Sequence, residues 1–501
     1  MKKLMLLLAI MGLGLCAAPV AAQTTEVERL QAELRRLRNE VDALNKVQRG
    51  GEGEDPALKT TLKNSVFSWA TEDGKFSLTM ASRVQFRVTY NDERGQDVDS
   101  GDGAAARALS TNGRDFWNFK VARLETWFIG NIFEKEFKYY VEFAWAAGGD
   151  NIVQEAYFTW ARWQEFNINV GQTKTPYSWQ FLVSSGRQQF VERSTVSAVF
   201  DQFYAKGLWF SGQIGKETPW LKYWAGVFNG ALRANNDFRN ADRALRPETF
   251  SSTVDADLMP VIRLETHPLG ETARDHTDQR SREESKKIRF SVGLGFAWFI
   301  SRFANAAVRP TPGGLAASPG SGRSNTGQDT LNVTLDGHFK FYGLSVNIEW
   351  HHRHTEFHNF GPLEGNSVFR NRNAPGDLTD NGFLFEAGFM ILPKQFDVAF
   401  RFGMVDADEF WLGGSSNKPN GIIPDSTEIG IGVGYYIAGH NMKILADFTY
   451  TSYQLVVNAG TVANLATMGN PPPTRSASSI ANDNSDYLNV WQFRIQFAWV
   501  F

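Results

Sequence analysis

From residue 74 to residue 501 the chain alternates apolar and polar residues with a period of two, in runs longer than an ordinary globular strand. The first run is the clearest. Phe76, Leu78, Met80, Val84, Phe86, Val88 and Tyr90 hold one parity, against Ser77, Thr79, Ala81, Arg83, Gln85, Arg87 and Thr89 on the other. Successive side chains of a strand point to opposite faces, so each run has one apolar and one wet face. Similar runs are expected near 74–90, 116–131, 135–147, 151–163, 165–173, 204–215, 219–230, 256–267, 286–301, 330–342, 343–354, 381–392, 395–406, 426–438, 440–455 and 487–501. That makes about sixteen strands.

The connections alternate in length. Those at 132–134, 342–343, 393–394 and 438–440 are short, while 91–115, 231–255, 302–329, 355–380, 407–425 and 456–486 are long and polar. Short turns at one rim and long loops at the other are the pattern of a transmembrane antiparallel β-barrel. The polar stretch 268–285 breaks the alternation, because the register asks for a short turn there. A soluble β-sandwich is the rival fold, but it would use shorter strands with each apolar face covered by a second sheet. The mean hydropathy of −0.32 excludes a bundle of membrane helices. It leaves a barrel open, since alternating strands average low. Of the 15 Trp, 13 Tyr and 39 Phe, some stand near many strand ends, as interfacial girdles do.

The charge balance, 51 Lys and Arg against 54 Asp and Glu, argues against a nucleic-acid partner. One Cys excludes a disulfide framework and a Cys-based zinc site. No catalysis and no cofactor are expected.

Residues 1–22 read as a secretory signal, with Lys2 and Lys3, an apolar core from Leu4 to Leu15, and small residues Val20-Ala21-Ala22. Lipidation at Cys16 is the alternative, weakened by the Leu15 before it. At 23–49 the period changes. Val27, Leu30, Leu34, Leu37, Val41 and Leu44 form a heptad seam, so a short α-helical coiled coil that oligomerises is expected. A single amphipathic helix packed on its own domain is the other reading. A linker over 50–73, opened by Gly50-Gly51-Glu52-Gly53, then leads to the barrel at 74–501.

Residues 151–230 resemble the phosphate-selective porin O and P family. The stretches that carry the resemblance are Gln154-Glu155-Ala156-Tyr157, Gly171-Gln172-Thr173-Lys174-Thr175-Pro176-Tyr177, Ser184-Ser185, Val191-Glu192-Arg193-Ser194, Lys206-Gly207-Leu208 and Trp224-Ala225-Gly226-Val227-Phe228-Asn229-Gly230. The strand with Val121-Ala122-Arg123-Leu124 and the closing strand are similar too. The resemblance implies a homotrimer of outer-membrane barrels, with the coil on the periplasmic side, that conducts small anions, phosphate or polyphosphate among them, past inward Arg and Lys. Terminal Phe501 fits export to an outer membrane.

If the apolar parity faces lipid, the other lines the pore. That turns inward twelve bases: Arg83, Arg87, Arg123, Lys138, Lys222, Arg263, Arg289, Lys340, Arg353, Arg401, Lys443 and Arg494. It also turns inward ten acids: Glu125, Glu142, Glu155, Glu265, Asp336, Glu349, Glu386, Asp397, Glu428 and Asp447. The near-neutral sum makes distribution decisive. A ring of bases in a narrow pore attracts anions and replaces part of their hydration, whereas a mixed-charge wall only sets conductance. The loop 174–203, with Lys174, Arg187 and Arg193, is expected to fold into the lumen and narrow it. Trp179, Phe181, Leu182, Phe190, Val196, Val199 and Phe200 would pack it on the wall. An extracellular loop over a subunit contact is the alternative.

Other chemistry is discounted. His352 and His354 share one strand face and His351 takes the other, so they do not converge on a metal. Asp92, Glu93, Asp97, Asp99 and Asp102 lack the spacing of a calcium loop. A general or sugar-permeable porin stays open through inward Tyr140, Tyr157 and Tyr436. A barrel-embedded enzyme would need a paired nucleophile, for which no motif is found. A siderophore receptor would need a large plug.

Overall fold

The computed structural model describes residues 33, 58–63, 66–96, 114–146, 152–215, 219–229, 258–272, 274–305, 308–311, 314–317, 323–324, 326–358, 378–407, 425–457, 474–475 and 486–501. The expected signal and coiled coil lie outside them, apart from Glu33.

Sixteen strands close into an antiparallel barrel. They are β1 (Ser77–Gln96), β2 (Arg114–Asn131), β3 (Phe137–Ala144), β4 (Val153–Trp160), β5 (Asn167–Lys174), β6 (Tyr204–Ile214), β7 (Leu221–Phe228), β8 (Met259–Thr266), β9 (Arg289–Asn305), β10 (Thr326–Phe341), β11 (Leu344–His358), β12 (Leu378–Leu392), β13 (Phe396–Asp406), β14 (Ser426–Tyr436), β15 (Met442–Val457) and β16 (Asp486–Val500). Each pairs with its sequence neighbour, and β16 returns to β1 from Val500↔Arg83 to Tyr487↔Gln96. Among the described residues closure gives each of the sixteen strands a partner on both sides, which a bilayer demands because lipid offers no hydrogen-bond partner.

The period of two sets the orientation. On β14, Ile429, Ile431, Val433 and Tyr435 are exposed while Glu428 is buried. Exposed Leu294, Leu335, Phe400, Met404, Phe448 and Phe493 continue this apolar exterior around the barrel. Among the described residues the register shifts at three places, on β2, β4 and β12. Opposite the Gln85–Phe86 step of β1, Ala122 is an extra, unpaired residue, and the parity of β2 flips there. Glu125 faces inward below the bulge, whereas Trp117, Phe119 and Val121, of the same numerical parity, are exposed above it. The β10–β11 turn needs just two residues, Tyr342 and Gly343, both at positive φ as a primed hairpin turn requires.

One expected boundary is corrected. Part of the linker assigned to 50–73 is a hairpin of Leu58–Lys63 and Val66–Thr71. Its second strand pairs Phe67↔Met80 to Ala70↔Ser77, extending the seam of β1 where β16 stops. Thr60, Thr61, Val66, Phe67 and Trp69 suit a pleated ribbon, a signal that the glycines of 50–53 overshadowed.

Candidate functional site

The lumen is divided by the loop between β5 and β6. Its neck is fixed where the Thr175 amide donates to the Phe203 carbonyl at 2.8 Å. Inside, the chain forms α1 (Trp179–Leu182), a single turn at Ser185–Arg187 and α2 (Thr195–Phe200). The Ser194 hydroxyl caps α2 by accepting from the Ser197 amide at 3.1 Å. Ser178 and Ser197 both donate to the buried Asp201 carboxylate, joining the two helices. Burial pushes that carboxyl up to about 6, against the two hydroxyls that favour its charge.

The loop docks against β8–β16. Val196 and Phe200 pack with Leu384, Val405 and Ala407, while Tyr177 joins Met259, Val261 and Phe299. The polar contacts are reciprocal. Wall carboxylates accept from loop amides: Glu349 from Gln180 at 2.6 Å, Asp447 from Val191 at 2.9 Å, and Glu428 from Thr195 at 2.7 Å. Wall bases donate to loop carbonyls: Arg263 to Tyr177 at 2.6 Å, Lys443 to Gln188 at 3.0 Å, Arg401 to Glu192 at 2.8 Å, and Arg353 to Val199 at 3.1 Å. An irregular segment buried in a barrel must find partners for its backbone, and the mixed-charge wall supplies them. Wall glycines make room for it. A Cβ at Gly382 would stand 2.5 Å from the Phe200 ring, and one at Gly430 would stand 3.0 Å from that of Phe190.

The polar stretch that broke the turn pattern is a second inward loop, 267–288, rising from the opposite rim. It carries α3 (Arg282–Ser285), capped reciprocally by Ser281 and Glu284. His276 donates its amide to the Arg187 carbonyl at 3.2 Å, joining the two loops. Trp179 of the first loop stacks 3.8 Å from the His338 ring on β10 and lies 5.0 Å from that of His276 on the second loop. Asp275 meets His440 at 2.8 Å, and Lys340 donates to the Thr277 carbonyl at 2.8 Å. Burial opposes ionisation of Asp275, but His440 and Lys340 outweigh it and hold the carboxyl below its ordinary range.

On the other side of the loop a cavity of about 530 Å³ remains between it and β1–β7. Of the bases expected in the pore, Arg83, Arg123, Lys174 and Arg193 line this cavity. Lys174 donates to the Val183 carbonyl at 3.4 Å, and Arg193 to the carbonyls of Gln180, Phe181 and Val183 at 3.2, 3.3 and 2.9 Å. Their cationic groups lie 5.4 and 4.9 Å from the centre of the Phe181 ring. Arg83 is paired with Glu125, and Arg123 with Glu192 at 2.8 Å. Burial pushes the Glu192 carboxyl up, but Arg123 and Arg87 outweigh it and hold it well below the usual range. Glu142 and Glu155 line the same cavity, with Tyr140 and Tyr157 stacked at 5.3 Å between ring centres.

The other expected bases lie elsewhere. Arg87 bonds Glu192 at 2.6 Å, Arg494 bonds Asp447 at 2.7 Å, and Lys222 is paired with Glu271. Arg263, Lys340, Arg353, Arg401 and Lys443 are buried against the two inward loops. Arg289 is half-buried over Gly270, while Lys138 and Arg187 are exposed. Tyr436 is buried and donates to Asp397 at 3.2 Å, away from the cavity. Sequence reasoning missed Arg274, which lines the cavity from the second loop, 4.7 Å over the Trp224 ring. Nothing in the sequence marks it beyond the anomalous length of 268–285. Lys120 was missed as well, because the bulge at Ala122 reverses the parity that would have found it. Among the described residues no cluster of His, Cys, Asp or Glu could hold a metal ion.

Comparison with known proteins agrees with the resemblance read at 151–230. The model of the family described as Phosphate-selective porin O and P matches residues 83–256. No curated protein matches the chain. Among solved structures, the chain is similar to an anion-selective porin from Comamonas acidovorans. The identity is 11%, the TM-score 0.47, and the coverage 85% of this chain and 100% of that one. It is also similar to the outer membrane channel DcaP of Acinetobacter baumannii, at 10% identity and TM-score 0.48, over 86% and 99% of the two chains. OmpT of Vibrio cholerae follows at 9% identity and TM-score 0.42, over 86% and 100%.

Proposed function

We propose that this outer-membrane barrel is a porin for passive diffusion of small anions, which cross beside the loop through the cavity lined by Lys174 and Arg193. The observation that carries the reading is how these two bases are held. Their hydrogen bonds go to neutral carbonyls, so among the described residues no carboxylate cancels either charge by direct pairing. An uncancelled charge in a narrow site attracts counter-ions and replaces part of their hydration. Arg offers a planar fork that fits phosphate oxygens, and Lys a compact point charge. Phosphate is therefore the solute to test first, in keeping with the family's description. A homotrimer in outer-membrane lipid is the assembly that the resemblance implies, and the mass of the detergent-solubilised protein checks it.

The test is the reversal potential of the reconstituted protein across a potassium chloride gradient, with phosphate titrated in. Anion selectivity with block by low phosphate assigns a phosphate site. Anion selectivity without block gives a general anion porin, and cation selectivity overturns the anion reading. Absence of conductance would favour a barrel-embedded enzyme.

A further inference from the structure

The cavity holds two acids without an ion-pair partner as well as two such bases among the described residues, and we infer that it selects small dipolar solutes, carrying one carboxylate and one ammonium, over uncharged molecules of equal size. The inference rests on the channel reading above and names a solute class for the same cavity.

Each acid is held as each base is, by neutral partners. Glu155 accepts from the Thr173 hydroxyl at 2.8 Å and from the Lys174 amide at 3.3 Å, and Glu142 accepts from the Tyr140 hydroxyl. Neither forms an ion pair with Lys174 or Arg193 among the described residues, although Glu155 contacts the backbone of Lys174 itself. The same residue types pair directly as Arg83–Glu125 in this cavity, and as Arg494–Asp447 and Arg353–Asp380 elsewhere in the lumen. Keeping opposite charges apart in a confined site gives up their mutual attraction, and a solute that bridges them recovers it. Both acids stand on the barrel wall, on β3 and β4, while Lys174 ends β5 at the neck of the loop and Arg193 is carried by the loop itself. The stacked Tyr140 and Tyr157 rings beside the acids add faces that attract an ammonium group. A monoanion meets the two bases favourably and the two acids unfavourably. A dipolar solute is favoured at both ends.

Proteoliposome swelling with glycine against glycolamide tests this, since the two have the same number of heavy atoms and no net charge. Glycine should enter severalfold faster. In Glu142→Gln the glycine-to-glycolamide ratio should fall while the chloride-over-potassium permeability rises. In Lys174→Met the ratio should fall while that permeability falls as well. Equal entry of the two solutes into the native protein overturns the inference. So does a ratio that neither substitution moves. A cation-selective reversal potential with the glycine preference intact overturns the anion reading alone and supports this one.

Discussion

The two halves of the lumen use the same residue types to opposite ends. Along β8–β16, buried arginines, lysines and carboxylates are spent on the backbone of the inward loops and on one another. Along β1–β7 some of the same types face open space, and Lys174, Arg193, Glu142 and Glu155 form no ion pair among the described residues. A charged residue on the wet face of a barrel strand is therefore not by itself a pore residue. What decides is whether a loop covers it.

The docked half breaks most readily at Arg401. It pairs with Glu386 at 2.6 Å and Glu428 at 3.0 Å and holds the Glu192 carbonyl. Arg401→Ala would leave two buried carboxylates without their base, an arrangement that costs about 3–5 kcal/mol. The loop should undock, single-channel conductance should rise severalfold, and residues 175–203 should become sensitive to protease. Unchanged conductance would mean that the loop is not held by the wall.

How far the sequence anticipated these two halves depends on the range of the forces involved. The strands were legible because alternation is local, and each run marks itself by its own residues. The inward loop was legible through Trp179, Phe190, Val196 and Phe200, which are too apolar for an extracellular loop and are buried in the structure. The partition of the bases was not. Arg401 and Lys174 look alike along the chain, and only the fold separates their roles, setting Arg401 between Glu386 and Glu428 and Lys174 in the lining of the cavity. The second loop was visible only as an anomaly at 268–285. Its buried groups, Asp275 and His276, find partners on distant strands and turns.

pH gives a second, smaller lever on docking. The Asp201 carboxyl lies at about 6, above its ordinary 3.8, because burial disfavours its charge. A raised value means that docking is favoured while Asp201 is neutral. The full contribution is present below pH 3.8 and is lost as pH rises through about 6. Channel noise from loop motion should be lower at pH 5 than at pH 7, and Asp201→Asn should flatten that difference. Noise that increases on acidification would reverse the assignment.

The open half responds in selectivity rather than stability. Replacing Lys174 and Arg193 together by Met should lower the chloride-over-potassium permeability ratio about tenfold, equivalent to ~1.4 kcal/mol, with little change in conductance. Arg187→Met, outside the cavity lining, should change that ratio less. Equal effects at Arg187 and at the Lys174–Arg193 pair would erase the distinction between the halves.

The smallest expected effect concerns the glycines. Gly430 faces the docked loop, and an added Cβ would approach the Phe190 ring to 3.0 Å, closer than ordinary van der Waals contact. Gly337 lies on the other parity of its strand from buried Asp336 and His338, and nothing stands within 4 Å of its Cβ position. Gly430→Ala should cost about 1 kcal/mol, at the low end for overpacking, and make the loop measurably noisier. Gly337→Ala should leave both stability and noise unchanged. If the two substitutions behave alike, the inner glycines serve the strand backbone and not the seat of the loop.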